Sequence, residues 1–242
     1  MPKERLDVLL VQRALAESRE QAQRLILAGQ VLADGQPATK AGHRFDMEVP
    51  LTIKTGPRFV SRGGEKLEAA FQAFPLDVAG VVCLDVGAST GGFTDCLLQH
   101  GAKKVFAVDV GKGQLHWKVR QNPRVTVLDE TNARYLRADD LPEPPSFACV
   151  DVSFISLTKV LPAVIQVLAR SADLVTLIKP QFEAGRDEVG KGGVIRDPAV
   201  RQAVVDKIRA WGTDAGLKWI GVCESPIKGP AGNVEFLACW KK

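Results

Sequence analysis

The sequence predicts an α/β fold. A Rossmann-like sheet, mainly parallel with an antiparallel last strand, follows a small α+β unit at the amino-terminal side. Three observations predict it. From Val81 onward, short apolar runs alternate with helical patterns, the signature of a doubly wound sheet. The first run leads straight into a glycine-rich turn that opens a helix. The last two runs, Trp219–Cys223 and Val234–Trp240, are joined only by Ser225-Pro226-Ile227-Lys228-Gly229-Pro230-Ala231-Gly232. A parallel crossover needs a dozen or more residues, so the final strand should run antiparallel to its predecessor.

The first unit reads as two short helices and a hairpin. Leu6, Leu9, Leu10 and Ala14 recur at helical spacing. Ser18 followed by Gln21 forms a capping-box pattern ahead of Ala22, Leu25 and Ile26, and Gly29 is a C-terminal stop. Asp34-Gly35, flanked by Val31-Leu32 and Pro37-Ala38, signals a tight turn. Gly56-Pro57 breaks the chain, which places a domain boundary near residue 60: a small unit over 1–60 and a larger unit over 61–242. The larger unit's strands are expected at Val81–Val86, Val105–Val110, Val125–Leu128, Phe147–Val152 and Leu174–Ile178, with a helix over Pro198–Ala215 before the last two runs.

Composition narrows the function classes. The chain of 242 residues is 45% hydrophobic and 25% charged, ordinary for a globular protein. No apolar run approaches the roughly 20 residues of a membrane span. Pro2-Lys3-Glu4-Arg5 is charged and is no signal-peptide core, so the expected location is cytoplasmic and no membrane partner is expected. Cys83, Cys96, Cys149, Cys223 and Cys239 form no Cys-x-x-Cys pair and sit mostly in apolar runs, as buried thiols in a reducing compartment would. With His43, His100 and His116 scattered, spacing yields no metal site. Residues 1–62 hold ten Lys/Arg against seven Asp/Glu, so most of the net charge of +4 lies in the first quarter of the chain and suggests an anionic partner.

The most informative stretch is Leu84-Asp85-Val86-Gly87-Ala88-Ser89-Thr90-Gly91-Gly92-Phe93-Thr94-Asp95. Ligands of open α/β sheets bind at the carboxyl ends of strands, where such a turn sits. Gly87 lets backbone approach a ligand, and Gly91 and Gly92 permit the sharp bend into a helix. A Gly-x-Gly-x-x-Gly pattern is missing, and the carboxylate of Asp85 suits a cationic amino-acid head better than a pyrophosphate. S-adenosylmethionine, with its ammonium and sulfonium, fits that chemistry, and Ala88, Ser89 and Phe93 complete the turn expected to hold it. Asp109, ending the second run, is placed to accept from ribose hydroxyls, and Asp129, after the third, to reach adenine.

Four charged residues stand beside apolar elements. Lys66 lies in Ser61-Arg62-Gly63-Gly64-Glu65-Lys66-Leu67; Asp151 ends the fourth run; Lys179 ends the fifth; Glu235 lies in the last. Asp151 and Lys179 should meet at the ligand edge. A lysine serves as a base only if its pKa falls, which desolvation and a neighbouring cation such as Lys66 promote. Such a set suits a hydroxyl nucleophile, which needs a base or a field that favours its alkoxide. The fourth run ends Asp151-Val152-Ser153-Phe154, not in the Asn/Asp-Pro-Pro-Tyr pattern that holds a base amino group.

The chain resembles the TlyA family, an RNA-binding module of the ribosomal-protein S-four type fused to an FtsJ-like methyltransferase. The resemblance spans essentially the whole chain. It is most distinctive in Ser61–Leu67, Asp85–Thr94 and Ile178-Lys179-Pro180-Gln181-Phe182-Glu183-Ala184-Gly185-Arg186. It implies a catalytic Lys-Asp-Lys-Glu tetrad at Lys66, Asp151, Lys179 and Glu235. It also implies S-adenosylmethionine as cofactor, ribosomal RNA or a ribosomal subunit as partner, and a cytidine 2′-hydroxyl, in the large-subunit RNA for the shorter members, as acceptor. Arg5, Arg13, Arg19, Arg24, Lys40, Arg44 and Arg62 are the expected phosphate contacts, with Lys191 in a glycine-rich loop. Phe59 and Phe154 are candidates for base stacking or for core. Two alternatives remain. One is a membrane-active haemolysin, the label many family members carry, for which no spanning segment, signal peptide or long apolar helix is present. The other is a non-catalytic RNA-binding or assembly protein, which would have no chemical need for both lysines.

Overall fold

The computed structural model describes residues 2–54 and 56–242, which separate into two compact units, 1–58 and 59–242. The first unit runs β1 (Lys3–Arg5), α1 (Leu6–Gln12), α2 (Arg19–Leu27), β2 (Val31–Ala33), β3 (Gln36–Pro37), β4 (Arg44–Asp46) and β5 (Leu51–Ile53). β1 pairs antiparallel with β4, and β2 pairs antiparallel with both β3 and β5. Leu6, Leu10, Ala22, Ile26, Val31 and Ala33 make the core, the helical and alternating positions of the sequence turned inward. Asp34 and Gly35 both have positive φ, 49° and 72°, the mirror-image turn that suits the right-handed twist of β2 and β3.

Ser18 caps α2 by accepting from the Gln21 N–H at 3.2 Å. The return bond of the expected capping box is displaced by one residue: Gln21 Oε1 takes the N–H of Glu17, not of Ser18. The buried carboxylate of Asp7 is the unit's electrostatic knot. Arg5 grips it with two N–H donors at 2.9 Å, and Arg19 and Gln23 each donate to Oδ2 at 3.0 Å. Arg13 is also committed inward, donating to the carbonyls of Met47 and Val49. Three of the expected phosphate contacts therefore already hold protein groups, because a guanidinium carries enough donors to serve a fold and a surface at once. Arg24, Lys40 and Arg44 are exposed. Lys40 lines a concavity of about 370 Å³ with Gln36, His43 and Phe45.

The second unit runs α3 (Gly63–Ala73), β6 (Val82–Val86), α4 (Gly92–Gln99), β7 (Lys104–Val108), α5 (Trp117–Arg120), β8 (Val125–Leu128), β9 (Phe147–Val150), α6 (Leu157–Val167), β10 (Asp173–Ile178), α7 (Pro180–Glu183), α8 (Pro198–Asp214), β11 (Lys218–Glu224) and β12 (Phe236–Lys241). The seven strands lie in the order β11-β12-β10-β9-β6-β7-β8. β8, β7, β6, β9 and β10 are parallel, and β12 is antiparallel to both of its neighbours. The last strand thus slots between β10 and β11, so β11 forms the edge. Helices cover both faces. α6 and α8 pack on one through Leu157, Leu161, Val204 and Ile208; α3 and α4 pack on the other through Leu67, Ala70, Phe93 and Leu97. Trp240 is fully buried and donates its indole N–H to Thr176 Oγ1 at 3.1 Å. Phe59 is core, 2% exposed. No helix among the described residues is long and apolar enough to cross a membrane.

The Asp7 knot generates a pH dependence. The Arg5 guanidinium, with Gln23 and Arg19, holds its carboxyl well below the usual carboxylate range despite burial. A carboxyl depressed in the folded state stabilises fully above its unfolded value, about pH 4, and loses that contribution as pH falls towards the folded value. Hydrogen exchange on the full chain should show amides of residues 6–27 losing protection below about pH 4. Asp7→Asn should cost about 2 kcal/mol of local stability at pH 7 and flatten that acid limb.

Candidate active site

The site forms where five strand ends meet along one edge of the sheet. Asp151 is the first residue after β9 and Lys179 the first after β10. Because β12 runs the other way, Glu235, the residue before its start, comes to the same edge, where Phe236 pairs with Ile178. Glu235 therefore precedes the last strand and does not lie in it. Lys66 stands one turn into α3, and glycines fix that helix. A β-carbon on Gly92 would meet Ser61 Oγ at 2.3 Å and the Gly64 nitrogen at 2.7 Å, so the start of α4 nests directly against the start of α3. The Ser61–Leu67 stretch is thereby explained as the piece that brings Lys66 to the glycine turn.

The four charges form two ion pairs. Lys179 Nζ lies 2.5 Å from Asp151 Oδ1, and Lys66 Nζ lies 2.6 Å from Glu235 Oε2. All are largely withdrawn from water, from 1% exposure at Glu235 to 20% at Asp151. Two shared cavities close the ring. Lys66 and Asp151 line one of about 300 Å³, and Lys179 and Glu235 line another of about 350 Å³. Ser153, which sequence reasoning passed over, accepts from Lys179 Nζ at 2.9 Å. The Lys179-to-Glu183 stretch is anchored from its far end. Glu183 accepts from Ser156 Oγ at 2.5 Å and from the Leu157 N–H at 2.6 Å, tying α7 to the start of α6, and its burial pushes its carboxyl up.

A third cavity, about 470 Å³, lies at the ends of β6, β7 and β9, where strand order reverses. Gly87, Ser89, Asp109 and Asp151 line it, together with Gln114, Thr131 and Asn132, which were not foreseen. Gly87, at φ 83°, is required twice over: a β-carbon there would sit 2.2 Å from the Asp151 carbonyl oxygen. Asp109 Oδ2 accepts from the Ser89 N–H at 2.8 Å and Oδ1 from the Gly111 N–H at 2.7 Å. Each oxygen keeps a second lone pair, so the carboxylate can shape the loop and still accept from hydroxyls. Ala88 and Phe93 face the first cavity, and Gly91 serves the bend with φ 93°.

Two expected ligand groups sit elsewhere. Asp85 is fully buried and lines none of these cavities; it accepts from Thr94 Oγ1 at 2.6 Å, and burial pushes its carboxyl up to about 7. Its place is behind the glycine turn, holding α4 to β6. Asp129 turns to Arg120, 2.9 Å away, and to the Gly113 N–H, and Arg120 holds its carboxyl low. Asn132 takes the position facing the cavity that the sequence suggested for Asp129. Arg62 is exposed at the mouth of the first cavity beside Lys228 from the Pro/Gly-rich connection, and Phe154 is 91% exposed. Lys191 is exposed and lines none of the cavities, although Gly192 and Gly193 do. The fold also gathers Glu68, Cys96 and His100, which spacing alone did not bring together. The His100 ring nitrogen lies 2.8 Å from Glu68, and the cluster braces α3 against the end of α4.

The comparisons agree with this geometry. Residues 59–242 match the FtsJ-like methyltransferase family, and residues 4–49 match the S4 domain. The chain belongs to the FtsJ-like methyltransferase family. It is 48% identical over 234 residues to the 16S/23S rRNA (cytidine-2′-O)-methyltransferase TlyA of Mycobacterium tuberculosis, covering 96% of this chain and 87% of that one. It is 45% identical to Hemolysin A of Brachyspira hyodysenteriae, covering 97% and 98%. A solved structure from Streptococcus thermophilus, described as a hemolysin, is 46% identical, with a TM-score of 0.76 over 100% of this chain and 89% of that chain. The protein is a methyltransferase with S-adenosylmethionine as its cofactor, joined to an S4 domain.

The third cavity fits that cofactor: a backbone cradle that a β-carbon at Gly87 would fill, and a carboxylate at Asp109 with free lone pairs. Isothermal titration should find S-adenosylmethionine bound about 1–3 kcal/mol more weakly by Asp109→Ala. Unchanged affinity would remove Asp109 from the cofactor site.

Proposed function

We propose that the enzyme methylates the 2′-hydroxyl of a cytidine in ribosomal RNA, with the large-subunit RNA as target. The carrying observation is the ring of Lys66, Glu235, Lys179 and Asp151 beside the cofactor cavity. The 48% identical relative bears that activity in its name, with both subunits' RNAs as substrates. A ribosomal RNA substrate supports a cytoplasmic location.

Bound S-adenosylmethionine supplies an electrophilic methyl group on a sulfonium. Asp109 and the Gly87–Ser89 turn would hold it. Lys179 accepts the 2′-hydroxyl proton, and Asp151 and Ser153 hold the ammonium that results. Lys66, anchored by Glu235, sets a positive charge beside the developing alkoxide. The Lys66 cation near the nucleophile favours an oxyanion and does nothing for a neutral amine, so the constellation supports ribose over base. The S4 domain, with Arg24, Lys40 and Arg44 exposed, supplies sequence-independent RNA affinity.

Lys179→Arg tests the proton acceptor, since a guanidinium keeps its charge but cannot take a proton. Single-turnover rates should fall at least a hundredfold with cofactor affinity intact; a normal rate would make Lys179 an electrostatic anchor only. The acceptor atom is tested by an RNA with one 2′-deoxynucleotide at the mapped position. Mass mapping should find no methyl there, and a methyl on that nucleotide would move the reaction to the base.

A further inference from the structure

We propose that Gln181 reads the base of the acceptor nucleotide, selecting an amino-bearing edge over a keto-bearing one through its side-chain amide. The inference rests on the acceptor chemistry proposed above. Lys179 and Glu235 stand in a cavity of about 350 Å³ that extends past Ser153, Phe154 and Phe182 to Gly192, Gly193 and Asn233. A ribose whose 2′-hydroxyl meets Lys179 must send its base into the remainder of that space. Phe154, held at φ 62°, and Phe182 give it an aromatic wall, their ring centroids 5.1 Å apart and tilted by 50°.

Gln181 lines this space with a side chain that the fold leaves incomplete. Gln181 Oε1 is buried and has no hydrogen-bond partner among the described residues. Asp46 Oδ1, Asp151 Oδ1, Asp173 Oδ1 and Arg201 Nε also lack a hydrogen bond, but Asp46 and Arg201 do not line this cavity, and Asp151 and Asp173 each have a lysine as counter-charge, at 2.5 Å and 3.7 Å. Gln181 has none. A buried acceptor without a donor costs free energy that a bound donor returns. The ribose hydroxyl is already committed to Lys179, so the donor falls to the base. A side-chain amide presents an acceptor beside a donor. Cytosine presents the complement, the N4 amino donor beside the N3 acceptor, whereas uracil, with the amide in the same orientation, sets the O4 lone pairs against Oε1. Adenine carries the same amino pattern as cytosine, so the amide distinguishes amino from keto and the rest of the cavity must distinguish size.

The test uses two RNAs that differ only at the mapped position, cytidine or uridine, and the full-length enzyme. The unsubstituted protein should show kcat/KM at least about tenfold higher on cytidine. Gln181→Met, similar in volume and without hydrogen-bonding groups, should lose about tenfold on cytidine, lose little on uridine, and bring the ratio towards one. Gln181→Glu, which keeps an acceptor and lacks the donor, should be slower on both RNAs and still prefer cytidine. Cofactor titration of each variant reports whether the fold survives, because Gln181 does not line the cofactor cavity. If Gln181→Met does not bind cofactor, Gln181→Glu carries the test, and a lost preference there overturns the proposal. Ribose methylation with an unchanged cytidine-to-uridine ratio in Gln181→Met overturns the base-reading role alone. Absence of ribose methylation by the unsubstituted protein overturns the acceptor reading and this inference with it.

Discussion

A β-carbon on Gly87 would lie 2.2 Å from the carbonyl oxygen of Asp151, and the arrangement of the whole sheet edge depends on that space staying empty. β6 and β9 are direct neighbours, and their ends turn in different directions, one into the glycine turn and the other into the Asp151–Phe154 loop. Closing the gap between those turns lets Asp151 line the cofactor cavity and still reach Lys179. Gly92 performs the matching task one turn later, bringing α3 and Lys66 against the same loop. Two absent side chains thus put a carboxylate and an ammonium within reach of one cavity. A packed α/β sheet offers that proximity only where backbones touch.

The charges gathered there exist in a withdrawn setting. Burying a single ammonium or carboxylate is costly, and an ion pair offsets that cost only if its geometry is good. The Lys66–Glu235 pair, hydrogen-bonded at 2.6 Å, meets that condition; Lys179 lies 2.5 Å from Asp151 Oδ1 outside hydrogen-bonding geometry and donates its hydrogen bond to Ser153 instead. The reversed strand β12 is what supplies the second carboxylate. A parallel last strand would have placed Glu235 at the opposite edge of the sheet, and Lys66 would have had no partner there. The antiparallel strand expected from the short Pro/Gly connection is therefore part of the site and not only of the topology.

The sequence made most of this legible where a single strand end or a helical period carried the information. β8 occupies the expected residues, the other strands begin or end within two residues of expectation, and Lys66, Asp151, Lys179 and Glu235 converge on one edge. It was less informative wherever a polar side chain had to choose between ligand and protein. Asp85 and Asp129 both carry carboxylates near strand ends, but one faces inward to Thr94 and the other sideways to Arg120. Strand position fixes the edge a residue occupies, not the rotamer it adopts. Ser153 in a loop and Gln181 in the one-turn helix α7, each two residues past a charged strand end, were hidden for the complementary reason: an isolated uncharged polar residue carries no pattern that separates it from a solvated one.

The same ambiguity governs the S4 domain. Arg5, Arg13 and Arg19, expected as phosphate contacts because they lie on or beside the helices, all hold Asp7 or backbone carbonyls. A guanidinium fixed by two bonds to a buried carboxylate loses little further entropy when a phosphate arrives, and its remaining N–H groups point in a defined direction. Arg5 and Arg19 remain 40% and 54% exposed while gripping Asp7. Asp7 then lowers their net charge and raises their order. Arg24, Lys40 and Arg44, free of such a knot, offer charge without fixed geometry. The domain thus combines donors ordered by Asp7 with exposed ones outside that knot, which suits the RNA contact proposed above.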